Sequence, residues 1–372
     1  MLIELENVSA ISNTEQKLAL TNLLRAHQDG FHFIFINEAP ENLRDLDLEF
    51  LGYFEKATFC SLIDNFTTRA QLTHDLVIKT TVDFLRRTNT AIYDVNSSAI
   101  ESCYSKFINP RACHPTRLVL EDESDEELYS LITWKLNSKL LQTPDSMSYE
   151  VIHGGGSRTV RAFKAQKRLG YFTLCIVDSD RPHPKKGIGS TARALNQNIQ
   201  NGVSDFTFVK LLDVHEVENL IPISTLCEVT KQDYGHNLDY VDKLKDLLAV
   251  DESLQKYLDL KKGLSLESAW SLDKQYGGYW LSESIREAFL KPRCRACLRE
   301  SSGGSFICVN GNECSYLEPF NDSLLEKGAE KIKLSSSNGV AKSLNHLESE
   351  VWKEISELIS AWCYSETVSV CS

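Results

Sequence analysis

The residues best suited to chemistry are carboxylates gathered at the ends of apolar runs. Leu118 to Leu120 is a short apolar stretch that stops at Glu121, and six of the seven residues from Glu121 to Glu127 are acidic. Farther along, Tyr171-Phe-Thr-Leu-Cys-Ile-Val-Asp-Ser-Asp180 is a second apolar run, ending in Asp178 and Asp180. Carboxylates at the C-terminal ends of buried strands stand where open α/β sheets place their ligands. Hard oxygen donors suit Mg²⁺ or Mn²⁺, and like charges this crowded repel unless a cation compensates them. On a strictly extended strand, Asp178 and Asp180 share one face. Alone, Glu121 to Glu127 reads equally well as the acidic first turn of a helix, favoured by the helix dipole. The second carboxylate-bearing strand end shifts the balance toward a metal site.

The elements that position these groups alternate from Thr116 onward. A strand ends at Glu121, and a helix follows with apolar residues at Leu128, Leu131, Ile132, Leu136 and Leu140. The strand Tyr149 to His153 is closed by Gly154-Gly-Gly-Ser157, then come a helix from Thr159 to Leu169 and the strand that ends at Asp178. A loop with Pro182, Pro184, Gly187 and Gly189 enters a helix through Asn198, and Phe206 to Leu211 is a fourth strand. This alternation predicts a mostly parallel, doubly wound α/β sheet. The glycine run lacks the lysine of a Walker motif, so it reads as a tight turn beside the site and not as an ATP phosphate loop.

Three segments in this order resemble the TOPRIM domain of topoisomerases, primases and OLD-family nucleases. They are Leu120-Glu121 through Asp125, then Val177-Asp-Ser-Asp180, then His215-Glu-Val-Glu-Asn-Leu-Ile-Pro222. The third resembles a segment of small OLD-like TOPRIM proteins of bacterial defence systems, the effector subunit of the Paris anti-phage system being the nearest type. Asp122 stands where the family usually has glycine. The resemblance implies a metal-dependent nuclease acting on DNA or RNA, tRNA included, with Glu121, Asp178 and Asp180 as catalytic residues. It implies that Asp125, Asp178 and Asp180 bind Mg²⁺ or Mn²⁺, that Glu121 is a general base or ligand, and that a separate ATPase subunit is the partner. Glu216 and Glu218 either complete the metal shell or begin a capped helix, and His215 is expected to be a structural ring beside the site. Arg181, Lys185 and Lys186, leaving the same strand end, are the candidate phosphate-binding residues. A non-catalytic alternative is a TOPRIM nucleic-acid-binding subunit of the recombination-mediator kind.

The whole chain frames these expectations. At 372 residues it is long enough for several domains, divided here into an N-terminal accessory or partner-docking α/β region (1–115), a TOPRIM-like catalytic domain (116–225) and a helical C-terminal region (226–372). Within the first, Thr14 to His27 and Leu72 to Arg87 read as amphipathic helices and Phe31 to Ile36 as a strand. The formal net charge of -12 argues against a protein that coats nucleic acid nonspecifically. It leaves room for a nuclease with local basic patches, such as Arg158, Arg161, Lys164, Lys167 and Arg168. No apolar run is long enough to span a membrane. Eleven cysteines without a signal-peptide pattern indicate a reducing, cytoplasmic setting.

Four of those cysteines, Cys294, Cys297, Cys308 and Cys314, lie close together around Ser301-Ser-Gly-Gly304, with Arg293 and Arg295 nearby to favour thiolates. Their spacing suits a structural Zn²⁺ knuckle, with scattered thiols as the competing reading. From Ser253 to Leu260 a helix is expected. The stripe Leu344, Leu347, Val351, Ile355, Leu358 and Trp362 either closes the core or docks another subunit, which leaves a homo-oligomer open.

Overall fold

The structure, a computed structural model, describes all residues except 45, 75, 77–78, 87–91, 95–98, 138–140, 142–145, 200–205, 235–238, 290–291, 302–304, 310–313, 321–322 and 366–372. The chain divides into two compact units. The first comprises Met1–Val177, Ala194–Lys210 and Lys353–Ser372; the second comprises Asp178–Arg193 and Leu211–Trp352.

The first unit is α/β and carries two sheets. One is five-stranded, built from β1 (Leu2–Glu6), β2 (Phe33–Ile36), β3 (Lys79–Asp83), β4 (Ile92–Asp94) and β5 (Ala99–Cys103), in the order β2-β1-β3-β5-β4. Its pairs are parallel except β4 with β5. The other is four-stranded, from β6 (Thr116–Leu120), β7 (Tyr149–His153), β8 (Thr173–Val177) and β9 (Thr207–Leu211), in the order β7-β6-β8-β9. β6 pairs in parallel with both β7 and β8, Val119 standing opposite Cys175. Every residue of β6 and β8 is buried, as expected of parallel strands covered on both faces.

Local chemistry accounts for the boundaries. The helix Thr14–Gln28 begins with a capping box: Asn13 accepts from the Gln16 amide, and the Gln16 side chain accepts from the Asn13 amide at 3.1 Å. The amphipathic helix expected from Leu72 to Arg87 does not form. A helix Phe66–His74 ends there and strand β3 follows, because the β-branched run Thr80-Thr81-Val82 packs better on a pleated surface than on a helix. Arg87 and Leu140 lie outside the described residues. Ser253 to Leu260 also differs from expectation, being a 3-10 turn over Glu252–Tyr257. An aromatic core joins the elements of this unit: Phe172 and Phe206 lie 4.3 Å apart, with Phe107 and Trp362 against them. Each such ring contributes roughly 1.5–3 kcal/mol by burial.

Two buried histidines make this unit acid-sensitive. The Nε2 of His27 faces Arg69 at 3.3 Å and must accept, so Nδ1 carries the proton and donates to the His32 carbonyl at 3.0 Å. Burial, then the Arg69 charge, lower the His27 pKa to about 4, against a smaller opposing pull from the His32 carbonyl. Burial also holds His32 well below its usual value. Between pH 6.5 and 4 the unfolded chain therefore binds protons that the folded chain refuses, and stability falls as pH falls through that window. For His27 the full loss is about 3 kcal/mol. Urea midpoints should drop from pH 7 to pH 4.5, and less steeply in His27→Gln; equal slopes would show that the imidazole is not the sensor.

The second unit is largely helical, with one small ribbon of β10 (Leu264–Ser265) and β11 (Ser315–Leu317) paired antiparallel. The helices Ile223–Tyr234 and Leu324–Leu334 pack together. Trp352 is buried and donates from Nε1 to the Leu220 carbonyl at 2.7 Å. Buried Glu348 accepts from the Ile223 amide at 3.0 Å and from Gln255 Nε2 at 3.1 Å. These bonds fix the stretch after β9, where the candidate site lies. No helix among the described residues is long and apolar enough to cross a membrane.

Candidate metal centre

The segment after β9 supplies the first candidate ligands. Glu216 is extended, and the 3-10 turn Val217–Leu220 follows it. Asn219, buried, organises the neighbourhood. Its Oδ1 accepts from the Glu216 amide at 2.8 Å, and its Nδ2 donates to the carbonyls of Gln255 and Leu258 at 2.7 and 2.8 Å. Gln255 Nε2 returns a bond to the Asn219 carbonyl at 3.0 Å, and the His215 amide donates to the Lys256 carbonyl at 2.6 Å. The motif His215-Glu-Val-Glu-Asn219 is thereby laced to 255–258, and the next residue is Asp259.

The result is a cluster of His215, Glu216 and Asp259 whose ligand atoms all lie within 4.8 Å of one another. Nε2 of His215 stands 3.9 Å from Asp259 Oδ2. Burial opposes ionisation of Asp259, but bonds from His215 and Lys262 outweigh it and hold its pKa down to about 2. Glu216 moves the other way, raised first by burial and then by the Asp259 charge, with His215 partly offsetting. Buried atoms His215 Nδ1 and Glu216 Oε2 have no hydrogen-bond partner. An imidazole with two carboxylates, one carrying an unsatisfied oxygen, fits a divalent cation.

The Asp178-Ser-Asp180 loop lies along the same segment. Ser179 donates to the Val214 carbonyl from its amide at 2.9 Å and its hydroxyl at 2.6 Å, and the Asp180 amide donates to the His215 carbonyl at 3.1 Å. The shared face expected for Asp178 and Asp180 assumes an extended strand. Here β8 stops at Val177, and Asp180 adopts a left-handed conformation with φ 50°. On the loop's other side the Gly189 amide donates to the Ser179 carbonyl at 2.9 Å. A Cβ on Gly189 would come within 2.2 Å of Asp180 Oδ2. Gly189→Ala should therefore displace that carboxylate and weaken Mn²⁺ binding about 10–100-fold, as loss of an outer-shell support does. Calorimetric titration checks this; unchanged affinity would remove Asp180 from the centre.

The remaining candidates have distinct surroundings. Glu218, almost wholly buried, is ion-paired with Lys261 at 2.6 Å. Arg181 is engaged by Asp213, which also takes Lys256 at 2.8 Å, and its guanidinium lies over Tyr257. Lys185 is exposed and Lys186 half-buried, on a turn built around His183. Nδ1 of His183 accepts from the Lys185 amide at 3.1 Å, so Nε2 carries the proton and donates to the Gly277 carbonyl at 3.1 Å.

Glu121 and Asp125 belong to the first unit. Glu121 is half-buried, its carbonyl accepts from the Gly155 amide at 3.0 Å, and its charge adds to burial in raising the Cys175 thiol on β8. Asp125 is buried in the first turn of the helix Ser124–Leu136 and accepts from the Asp122 amide at 3.3 Å. The glycine run forms a tight turn into the helix Thr159–Leu169; Arg158, which precedes the helix, and Arg161, Lys164 and Arg168 on it are exposed.

Cys297, Cys308 and Cys314 form a second cluster able to hold a metal ion; the Cys294 side chain lies outside the described residues. Asp259 was not among the sequence candidates, because no motif surrounds it. The only local signal is an acidic residue within Leu258-Asp-Leu-Lys-Lys262, a run otherwise apolar and basic. The comparisons give no independent assignment: no protein-family model, no curated protein and no solved structure matches this chain.

Proposed function

We propose that this protein is a divalent-metal-dependent phosphodiesterase that cleaves nucleic acid. The observation that carries the reading is the meeting, within one unit, of the His215–Glu216–Asp259 cluster and the backbone-laced Asp178-Ser-Asp180 loop. His215, Glu216 and Asp259 would hold the cation, with Asp178 and Asp180 as further carboxylate donors. When bound, Mg²⁺ or Mn²⁺ would polarise a phosphoryl oxygen and lower the pKa of water. The imidazole favours Mn²⁺ over Mg²⁺, since nitrogen donors suit transition ions better.

The chain's own groups do the rest. Low-lying Asp259 stays ionised across the physiological range and keeps His215 oriented. Lys185 and Lys186 would meet the phosphate backbone, whereas Arg181 is already committed to Asp213. Glu121 is the proposed general base or additional ligand, a role that rests on the sequence resemblance alone. Asp125 would assist a second ion. The likeness of the three sequence segments to OLD-like TOPRIM nucleases further supports an effector of bacterial anti-phage defence that works with a separate ATPase.

Purified protein should nick plasmid DNA or cut bulk tRNA with Mn²⁺, lose that activity with chelator, and identify the substrate by which of the two is cut. Binding of either nucleic acid with no cleavage under any divalent metal would support the recombination-mediator-like alternative instead.

A further inference from the structure

The three described cysteines of the second unit are spaced for one ion. Their Sγ atoms lie 3.9, 3.8 and 3.7 Å apart. A tetrahedral zinc site with Zn–S bonds of about 2.3 Å requires S···S edges of about 3.8 Å, while a disulfide would bring a pair to about 2.05 Å. The thiols come from separate elements: Cys297 from the helix Pro292–Glu300, Cys308 from the following loop, and Cys314 from the residue before β11. Ser301 folds that loop back, its hydroxyl donating to the Cys297 carbonyl at 2.6 Å and accepting from the Ile307 amide at 2.9 Å. The convergence is therefore built.

The chain beyond Cys314 leads to the metal centre. The Cys314 carbonyl accepts from the Leu266 amide at 2.8 Å, and β11 pairs with β10 through Leu317 opposite Leu264. The Phe320 amide donates to the Leu260 carbonyl at 2.8 Å, one residue from Asp259. Gly263 has φ 71°, and a Cβ there would meet the Leu317 carbonyl at 2.3 Å. Its amide donates to the Asp259 carbonyl at 2.8 Å. A chain of backbone bonds thus runs from the cysteine cluster to the backbone of Asp259, with a register shift between Leu264 and Ser265.

We propose that Cys297, Cys308 and Cys314 bind one structural Zn²⁺, and that this ion braces Asp259 through the β10–β11 ribbon. Each thiol gives its proton to solvent as its Zn–S bond forms. The second clause rests on the reading of His215, Glu216 and Asp259 as a metal centre; the first does not.

Elemental analysis of the full chain is expected to find about one zinc per chain. Cys297→Ser and Cys308→Ser should lose it and His215→Ala should keep it. Protein produced with cobalt should show a thiolate-to-cobalt charge-transfer band, and zinc-edge absorption should count at least three sulfurs; these readouts stand even if the serine variants fold poorly. Absence of zinc, its retention in both serine variants, or a shell with two or fewer sulfurs overturns the site. If folded Cys308→Ser lacks zinc yet binds Mn²⁺ as tightly as wild type, the bracing role is overturned; an expected result is at least about a tenfold loss. Zinc-loaded wild type that binds no Mn²⁺ overturns the bracing clause together with the phosphodiesterase reading, and leaves the zinc site standing.

Discussion

Asp178→Ala is expected to lower Mn²⁺-dependent cleavage at least about a thousandfold, equivalent to roughly 4 kcal/mol of transition-state stabilisation, with little change in folding. The two halves of that expectation have separate causes. The loop is held by main-chain and Ser179 bonds to Val214, His215 and Gly189, none of which uses the Asp178 side chain. Removing the carboxylate deletes a proposed donor to the cation and leaves those bonds in place. Asp180 requires a different substitution, because at φ 50° asparagine is tolerated better than alanine. Asp180→Asn should thus lose activity while retaining stability, whereas Asp180→Ala adds a backbone cost of about 1 kcal/mol. Cleavage rates on the substrate that wild type cuts, with circular dichroism melts alongside, check both. Full activity in Asp178→Ala would remove the Asp-x-Asp loop from the chemistry.

Asn219→Ala should have the second-largest effect, and on both stability and metal binding. Three bonds depend on this side chain, one from the Glu216 amide and two to the carbonyls of Gln255 and Leu258. At about 1 kcal/mol each, with a further penalty for polar groups left unmatched in a buried site, the loss is about 3–4 kcal/mol. The same truncation unties Glu216 from Leu258, the residue before Asp259. Mn²⁺ affinity should therefore fall about a hundredfold even at temperatures where the variant stays folded. Asn219→Asp tests the polarity of the network: it keeps the acceptor for the Glu216 amide but loses both donations to carbonyls and adds charge beside Asp259. Urea unfolding and metal titration on the same samples separate the two effects. A variant that is destabilised but binds Mn²⁺ normally would make Asn219 a folding residue only.

The legible parts of this chain were those whose signal is local. β6 and β8 stand out because parallel strands buried on both faces are short continuous apolar runs, and each is followed at once by a carboxylate. The helix Thr14–Gln28 is visible through its cap and its apolar spacing. β3 was obscured because Leu76, Val77, Thr80 and Phe84 imitate helical spacing, while what decides the matter is pairing with β1 and β5, strands distant in sequence. The candidate site divides the same way. Asp178, Asp180 and Glu216 sit in motifs that can be read, but Asp259 joins the cluster only through the lacing of Asn219 to the carbonyl before it. The left-handed turn at Asp180 depends on Gly189, and neither residue announces it alone. Arg181 reads as a phosphate contact until Asp213, remote in sequence, is found holding it. The discontinuous make-up of the two units was equally hidden, since the helix His346–Cys363 begins in one and ends in the other.

Equilibrium Mn²⁺ binding followed by electron paramagnetic resonance, wild type against Asp259→Asn, tests the central claim most directly. Wild type is expected to take up Mn²⁺ saturably, removing the free-ion signal, and Asp259→Asn to bind about a hundredfold more weakly, a difference of roughly 2.7 kcal/mol. Equal Mn²⁺ affinity in the two proteins, or none in either, would contradict a divalent-cation centre at His215, Glu216 and Asp259.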